Sequence, residues 1–216
     1  MTFFLHEARY RDLAPAAERL VTICGAGALG ANLAETLARM GLHKLRVIDY
    51  DRISAHNLST QPWTQQDIGA LKVHVLAHAL SRAVAARVEA QPVMLTNQNA
   101  QKLVRGSAVI IDAFDNLPAR AAVSAAAATH NIPCLHIAIG SSGDYGCGLW
   151  DAAYPLDAYE RAAANTQPAD HCDYPLTRPL ALLVAAAAAE VLVGYLIDGS
   201  QRQFECTLRD LRLVTT

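Results

Sequence analysis

Three glycines, Gly25, Gly27 and Gly30, form the first part of the sequence whose residue types and spacing could do chemistry. Glycines in this pattern allow a tight turn, a close approach of the backbone to a phosphate, and contact between a helix and a strand. A carboxylate follows at Asp49, where it can accept hydrogen bonds from ribose hydroxyls. These residues predict a nucleotide site. Both NAD and ATP fit, because each has a ribose and a phosphate chain.

Such a site requires a strand before the glycines, a helix after them and a second strand that ends at the carboxylate. The apolar run Leu20–Cys24 predicts the first strand, and the periodic pattern over Ala31–Met40 predicts the helix. Leu45–Asp49 predicts the second strand. The three elements form a βαβ unit, in which the helix presents its first N–H groups to the phosphate.

Further polar clusters lie downstream of this unit. They are Asp49-Tyr50-Asp51, Asn57-Leu58-Ser59-Thr60-Gln61, Asp67-Ile68-Gly69-Ala70-Leu71-Lys72, and Asp112-Ala113-Phe114-Asp115-Asn116 with Arg120. Lys72 is notable because only Lys44, Lys72 and Lys102 are lysines among the 18 basic residues. A site that needs an ammonium group rather than a guanidinium therefore has few candidates.

Taken in order, these segments resemble the ThiF/MoeB/HesA superfamily, the adenylating enzymes related to ubiquitin-activating enzymes. The recurring segments of that family are a D-x-D…N-L-x-R-Q run, a D-x-G-x-x-K run and a D-x-x-D-N-x-x-x-R run. The resemblance extends from about Leu20 to Gly199. It implies a Rossmann-like fold and attack of a carboxylate on the α-phosphorus of ATP, with departure of pyrophosphate.

The resemblance also implies roles for single residues in the nucleotide site. Asp49 would hold the ribose, and Asp51 would lie beside it. Lys72 would place its ammonium group on the phosphates, and Asn57 would bond a phosphate oxygen or a metal-bound water. The glycine loop would bind the phosphate chain.

Asp115 is the expected ligand of Mg²⁺. It follows the predicted strand Ala108–Asp112, at the end of a strand where open α/β sheets bind ligands, and a carboxylate oxygen suits a magnesium ion that bridges phosphates. The competing interpretation is a helix cap, because Asp115-Asn116 opens a predicted helix toward Arg120.

The sequence departs from the family pattern in its arginines. Thr60 stands where the family has an arginine that clamps phosphate. The segment Arg9-Tyr10-Arg11-Asp12 resembles a shortened R-Y-x-R-Q segment whose second arginine reaches the ATP site of the partner protomer, so Arg11 is a candidate clamp in a homodimer. An arginine in a solvated first helix is the competing interpretation, and Arg52 is a further candidate. Ala28 replaces an additional glycine found in many members.

Cys172, in His171-Cys172-Asp173, matches the position of a cysteine that takes part in thioester, acyl-disulfide or persulfide chemistry in several members. A catalytic cysteine and an incidental loop cysteine remain alternatives. Cys24 and Cys134 lie in apolar runs and are expected in the core. No Cys-x-x-Cys pair occurs, so we expect no structural zinc.

The alternation of strands and helices predicts an α/β fold with a doubly wound, mostly parallel sheet and a C-terminal antiparallel extension. The further predicted elements are a helix over Ala70–Arg87, strands over Val93–Leu95 and Ala108–Asp112, a helix over Leu117–His130, strands over Pro133–Ile137 and Cys147–Trp150, a loop over Tyr154–Pro175, a helix from about Arg178 to Ile197, and a hairpin over Gln203–Val214. We expect one ThiF-type domain over residues 1–216, with the nucleotide-binding half at about 20–140 and the loop, long helix and terminal strands at about 141–216.

Amino-acid composition and net charge limit the classes of partner that we expect for this protein. With 52% hydrophobic and 18% charged residues, the chain of 216 residues is not disordered. A net charge of −2 gives no basic surface for nucleic acid or an anionic membrane, so neither is expected as a partner. The apolar stretch Leu180–Ile197 is marginal for a membrane span, and Glu190 favours a helix buried against the sheet. Scattered cysteines and no signal-like start predict a cytoplasmic protein.

The resemblance implies an ATP-dependent adenylyltransferase that activates the C-terminal carboxylate of a small ubiquitin-like protein with a glycine tail, either a sulfur carrier or a modifier. Transfer to a cysteine would follow in some members. Thr60 leaves open a second function, a catalytically degenerate scaffold subunit that binds a nucleotide or a ubiquitin-like protein. An NAD-dependent oxidoreductase is the third and is supported only by the glycine loop and Asp49.

Overall fold

The structure, a computed structural model, describes residues 4–151, 154 and 175–216. Within these residues, eight strands form one sheet. The strands are β1 (Val21–Cys24), β2 (Lys44–Ile48), β3 (Arg87–Gln91), β4 (Val109–Asp112), β5 (Cys134–Ile139), β6 (Tyr145–Trp150), β7 (Phe204–Thr207) and β8 (Arg212–Thr215). The α-helices are α1 (Leu5–Tyr10), α2 (Ala14–Ala17), α3 (Ala28–Met40), α4 (Lys72–Val84), α5 (Ala100–Val104), α6 (Leu117–His130) and α7 (Arg178–Asp198). Two short 3₁₀ helices span Ala55–Ser59 and Gln65–Asp67.

The sheet has the predicted doubly wound topology. Its strand order is β3-β2-β1-β4-β5-β6-β7-β8, and the first five strands in this order are parallel. The chain runs outward from β1 through β2 to β3, and it returns on the other side of β1 with β4 and β5. The carboxyl ends of β1 and β4 therefore flank the switch point at which such sheets bind ligands.

The antiparallel extension is confirmed at the other end of the sheet. Strands β6, β7 and β8 each pair antiparallel with the preceding strand in the sheet. The C-terminal hairpin was correctly predicted, with β7 and β8 at Phe204–Thr207 and Arg212–Thr215.

Helices cover both faces of the sheet. Every residue of β1 and β4 is buried, as expected for central parallel strands that are covered on both sides. Apolar side chains of α3, α4 and α7 pack in a cluster on one side, and those of α5 and α6 pack in a second cluster. Small alanine side chains allow α7 and α3 to lie close together.

The prediction of a strand at Val93–Leu95 is wrong. The strand lies at Arg87–Gln91, because Ala85 adopts a left-handed conformation (φ 58°) that ends α4 at Val84 instead of extending the helix to Arg87. β3 is an edge strand with polar residues at alternate positions, so its sequence lacks the apolar run of a central strand.

Helix α7 packs inside the protein, as the sequence analysis predicts for a helix buried against the sheet. It is the one helix among the described residues that is long and apolar enough to cross a membrane, and 61% of its apolar window is buried. It packs against α3 and against β5, β6 and β7. Thr177 caps its start by accepting a hydrogen bond from the Leu180 N–H, and Gly199 ends it with φ 80°.

Candidate nucleotide-binding site

The glycine loop connects β1 to α3, and its glycines have different structural roles. Gly25 has φ 101°, a conformation that favours glycine. A Cβ atom at Gly30 would lie 1.9 Å from the carbonyl oxygen of Gly25, so glycine is required where the helix meets the loop. A Cβ atom at Gly27 would meet nothing within 4 Å, so the space beside this residue is open. Gly27 precedes the first residue of α3 and provides no side-chain cap, which leaves the first N–H groups of the helix available to an anion.

Asp49 follows β2 and contacts the glycine loop directly. Its side chain accepts hydrogen bonds from the Ala26 N–H at 2.6 Å and from the Asp51 N–H at 2.7 Å. Burial raises the pKa of the Asp49 carboxyl, while the Lys72 ammonium and the two N–H groups act in the opposite direction. A carboxylate can accept about four hydrogen bonds, so Asp49 retains capacity for ribose hydroxyls.

Lys72 is joined to this carboxylate through Asp51. Its Nζ atom lies 2.8 Å from Oδ2 of Asp51, and its side chain is only 7% exposed, whereas that of Asp51 is 47% exposed. The Lys72 N–H also donates to the Asp51 carbonyl, which fixes the start of α4 beside the segment after β2. The structure therefore places the predicted residues Asp49, Asp51 and Lys72 in one contact chain that begins at the glycine loop.

Asn57 and Thr60 lie in the segment that covers α3. The Oδ1 atom of Asn57 accepts hydrogen bonds from the N–H and the hydroxyl of Ser54, so this side chain caps its own 3₁₀ helix. The Thr60 carbonyl accepts from the Asn32 side chain, which lies one turn into α3. Both Asn57 and Thr60 are buried. A structural role thus accounts for Asn57 without a ligand, and its proposed contact with phosphate remains a prediction.

Arg178 is a residue of this region that the sequence analysis missed. It is the first residue of α7, it is exposed, and its Nη1 atom donates to the Gln61 carbonyl at 3.3 Å. This contact places a guanidinium next to Thr60, the position that lacks an arginine. No local pattern predicts this contact, because Arg178 and Gln61 are 117 positions apart in the sequence.

Asp115 lies in the loop between β4 and α6, beside the glycine loop. A Cβ atom at Gly25 would approach Ala113 and Phe114, which shows how closely the two loops pack. Asn116, not Asp115, caps α6 by accepting from the Ala119 N–H at 3.0 Å, so the capping interpretation of Asp115 is wrong. The Asp115 side chain is exposed and has no hydrogen bond or ion pair within the described part of the chain. Its carboxylate is accessible to a cation.

A buried charged network lies under this loop. Oδ2 of Asp112 lies 3.2 Å from Nη1 of Arg120 and 2.8 Å from Nδ1 of His136, and all three residues are buried. Nε2 of His136 lies 2.9 Å from Oδ1 of Asp151. Burial lowers the pKa of His136, but hydrogen bonds to the two carboxylates outweigh this effect and raise it. The aspartate and arginine of the predicted D-x-x-D-N-x-x-x-R segment thus support the loop that carries Asp115.

Arg11 is not brought to the glycine loop of its own chain. Its guanidinium pairs with Glu7 at 3.1 Å and with Glu190 at 2.8 Å. It lines a cleft with Met40 and Gly41 at the end of α3 opposite the glycine loop. Arg52 donates to the Gly69 carbonyl on the surface. A role of Arg11 in a second protomer stays a prediction.

The four cysteines in the described part of the chain are buried in strands, as expected for Cys24 and Cys134. Burial raises the pKa of all four thiols, so none is an activated nucleophile. Cys172 lies outside the described residues. Its role stays a prediction.

The chain is similar in sequence to known proteins over about half of its length. The chain is 37% identical over 123 residues to a sulfur carrier protein adenylyltransferase of Thermus thermophilus, which covers 55% of this chain and 45% of the relative. It is 34% identical over 122 residues to the SAMP-activating enzyme E1 of Haloferax volcanii, with the same coverage of 55% and 45%. The chain thus spans less than half the length of these relatives.

Solved structures share the fold. Escherichia coli tRNA N6-threonylcarbamoyladenosine dehydratase, TcdA, in complex with ATP superposes with a TM-score of 0.75 at 21% identity, covering 90% of this chain and 93% of that chain. E. coli MccB with AMPCPP and MccA gives a TM-score of 0.73 at 16% identity, covering 94% and 64%. The model of the ThiF family matches residues 5–215, almost the whole chain. The chain therefore belongs to the ThiF family.

Proposed function

We propose that this protein is an ATP-dependent adenylyltransferase that activates the C-terminal carboxylate of a small ubiquitin-like protein, a sulfur carrier or a modifier. The observation that carries the proposal is the contact chain from the glycine loop through Asp49 and Asp51 to the buried Lys72. In this chain Asp49 would accept from the ribose, the glycine turn would bind phosphate, and Lys72 would supply an ammonium group at the switch point of the sheet. The names of the relatives, a sulfur carrier protein adenylyltransferase and a SAMP-activating E1, support the same reaction.

In this reaction a carboxylate oxygen attacks the α-phosphorus of ATP, the bond from that phosphorus to the bridging oxygen breaks, and pyrophosphate leaves. Asp49 would orient the ribose, and the N–H groups at the start of α3 would bind the phosphate chain. Lys72 would offset the charge that develops on the leaving pyrophosphate. Fixed cationic groups are effective here because they need no reorganisation during the reaction.

Asp115 fits a magnesium ion, because an exposed carboxylate without another partner in the described part of the chain is the hard oxygen ligand that Mg²⁺ prefers. The ion would neutralise phosphate charge. Arg178 would supply a guanidinium beside Thr60, so the missing arginine does not leave that side of the site without a cation.

Several further features complete the proposal. By the family resemblance, Cys172 would accept the activated acyl group. The four described cysteines are buried with raised thiol pKa values. The protein would act as a cytoplasmic homodimer in which Arg11 reaches the partner's nucleotide site. Neither nucleic acid nor a membrane would be a partner.

ATP–pyrophosphate exchange in the presence of a candidate carrier protein tests the proposal. We expect exchange that requires the carrier's terminal glycine and falls at least 100-fold in Asp115→Ala. Asp210→Ala, an exposed aspartate in the β7–β8 turn, is the matched control and should retain exchange. No exchange with any carrier, or exchange unaffected by Asp115→Ala, would overturn the assignment.

The second candidate is a scaffold subunit that binds ATP or a ubiquitin-like protein without turnover. Thr60 favours it, because the residue is buried and its side chain cannot replace a guanidinium. Measuring ATP affinity and pyrophosphate release separately distinguishes the two. A scaffold would bind ATP and release no pyrophosphate even with every partner present.

A further inference from the structure

Cys134, His136 and Asp151 form a mixed cluster of metal-binding groups on the α6 side of the sheet. Cys134 and His136 alternate on β5 and so project from the same face, and Asp151 directly follows β6. One ligand atom from each residue lies within 4.8 Å of the other two. The Cys134 N–H donates to Oδ2 of Asp151 at 2.9 Å, which leaves Oδ1 directed at His136.

The second ring nitrogen of the histidine is held by a carboxylate. Nδ1 of His136 lies 2.8 Å from Oδ2 of the fully buried Asp112. A carboxylate on the far nitrogen of an imidazole fixes the ring and its tautomer, and this arrangement is common behind metal-binding histidines. The cluster therefore contains three ligands and an orienting group that is already in place.

We propose that Cys134, His136 and Asp151 bind a divalent transition metal ion, with Zn²⁺ as the natural occupant and Asp112 as the positioning residue. Sulfur, imidazole nitrogen and one carboxylate oxygen together suit Zn²⁺ or Co²⁺, and they do not suit Mg²⁺ or Ca²⁺. Zinc–ligand bonds of about 2.0–2.3 Å require donor atoms roughly 3.3–3.8 Å apart. The distance of 2.9 Å between Nε2 of His136 and Oδ1 of Asp151 has to lengthen slightly, and the distances from the Cys134 sulfur, at most 4.8 Å, have to shorten by about 1 Å or less.

Binding of the metal ion leaves the net charge of the cluster unchanged. The ion replaces the hydrogen on Nε2 of His136 and the hydrogen of the Cys134 thiol, so two protons leave as two positive charges enter. The buried Asp112–Arg120 pair keeps its charge. Because the Asp151 side chain is 41% exposed, the ion has a route from solvent, and a water molecule can take the fourth position.

The cluster shares no ligand with the proposed nucleotide site, although Asp112 joins its histidine to the network under the loop that carries Asp115. Its ligands come from β5 and from the end of β6, and their spacing in the sequence matches no Cys-x-x-Cys pattern, so a motif search does not detect them. The Tyr154 ring stacks on His136 with centroids 4.0 Å apart. A bound ion would join β5 to Asp151, the residue directly after β6.

Titration of the metal-free full-length protein with Co²⁺ tests the proposal directly. We expect one equivalent to bind, with a thiolate-to-cobalt band in the near ultraviolet and the visible bands of a tetrahedral ion. Zn²⁺ should displace Co²⁺, remove these bands and raise the melting temperature. Elemental analysis of the protein after dialysis gives the zinc stoichiometry independently of any activity.

Substitutions of the proposed metal ligands test which residues bind the ion. Cys134→Ser should abolish the near-ultraviolet band, and Asp151→Asn, at a partly exposed position, should weaken binding at least 100-fold while the protein stays folded by circular dichroism. Cys206→Ser, a buried cysteine on β7, and Cys172→Ala are the matched controls and should bind as the unmodified protein does. Asp112→Asn should weaken binding about 10–100-fold.

The proposal is wrong if the protein binds no Co²⁺ at micromolar concentrations, or if Cys134→Ser and Asp151→Asn bind it unchanged. It is equally wrong if Cys172→Ala loses the band while Cys134→Ser keeps it, because the thiolate would then lie elsewhere. None of these results depends on ATP or on a carrier protein.

Discussion

Lys72 is placed where a purely structural lysine gains little. It is the first residue of α4, and a positive charge there opposes the helix dipole, which costs about 0.3–1 kcal/mol. Its side chain is only 7% exposed, so the cost of removing the ammonium group from water opposes the attraction to Asp51, which is 47% exposed, and the ion pair adds only about 0–1 kcal/mol. These terms nearly cancel, and a role in binding phosphate accounts for the residue better than stability does.

We therefore predict that Lys72→Met separates activity from stability. Pyrophosphate exchange should fall about 10²–10³-fold, as when a group that stabilises transition-state charge is removed. The melting temperature should change by no more than about 4 °C. Lys102→Met, at an exposed position on α5, is the control and should alter neither quantity. A large loss of stability with little loss of exchange would indicate a structural lysine.

As pH is lowered, nucleotide affinity should begin to fall at a pH above the ordinary pKa of an aspartate. Burial raises the pKa of Asp49, and the charged carboxylate is the better acceptor for ribose hydroxyls. The stability of the folded protein should depend on pH in the opposite direction. A raised carboxyl pKa means that the folded state holds the proton more tightly than the unfolded state, so this residue's contribution to stability falls as pH rises between the two pKa values.

Adenosine is the suitable ligand for this measurement, because it has a ribose and no phosphate that titrates. Its affinity should decrease as pH falls through the raised pKa of Asp49. Asp49→Asn should bind adenosine weakly, without that dependence. An affinity for adenosine that does not change with pH, or the same change in Asp49→Asn, would contradict the assigned role.

At the scale of elements, the loop between β1 and α3 offers two glycines with opposite expected effects. Gly30→Ala would place a Cβ atom 1.9 Å from a backbone oxygen, so we expect it to destabilise the protein by about 3 kcal/mol or more. Gly27→Ala meets no atom within 4 Å and has φ −80°, so stability should change by less than about 0.5 kcal/mol.

ATP affinity should nevertheless fall at least 10-fold in Gly27→Ala, because the new methyl group fills the open space beside the start of α3. Chemical denaturation and ATP titration of the two variants check both expectations. If Gly27→Ala bound ATP as well as the unmodified protein does, the phosphate chain would not lie beside Gly27.

Most elements could be predicted from local pattern. The buried strands β1 and β4 have continuous apolar runs, and α6 was predicted with its observed bounds, because Asn116 and Asn131 mark its two ends. β3 could not be predicted, because an edge strand with polar residues lacks a continuous apolar run. The end of α4 before it was also hard to predict, because alanine rarely adopts the left-handed conformation that ends the helix at Ala85. Tertiary pairing with β2 decides the position of β3.

The residues of the candidate site also differ in whether local sequence pattern predicts their positions. Asp49, Lys72 and Asp115 follow strands or begin helices at spacings that the sequence displays, so their convergence at one edge could be predicted. The contact of Arg178 with Gln61 could not be predicted, because the two residues meet only when α7 packs against α3. The cluster at Cys134 likewise depends on the pairing of β5 with β6.

At the scale of the whole molecule, the position of Arg11 bears on oligomeric state. Arg11 lies beside Met40 and Gly41 at the end of α3, and the glycine loop precedes the other end of this 13-residue helix. The helix is about 20 Å long, and an arginine side chain spans about one third of that distance. Arg11 therefore cannot clamp phosphate in its own protomer, and a catalytic role requires a second copy of the chain.

Mixing two inactive variants tests that role. If Arg11 acts across a dimer, Arg11→Ala and Lys72→Met should each lose exchange as homodimers, whereas a mixed dimer has one site with Lys72 from one protomer and Arg11 from the other. Random exchange of subunits in an equal mixture should therefore restore about one quarter of the unmodified activity. The mixture would stay inactive if both residues had to come from one protomer. If Arg11→Ala alone kept full exchange, its pairs with Glu7 and Glu190 would be its whole role.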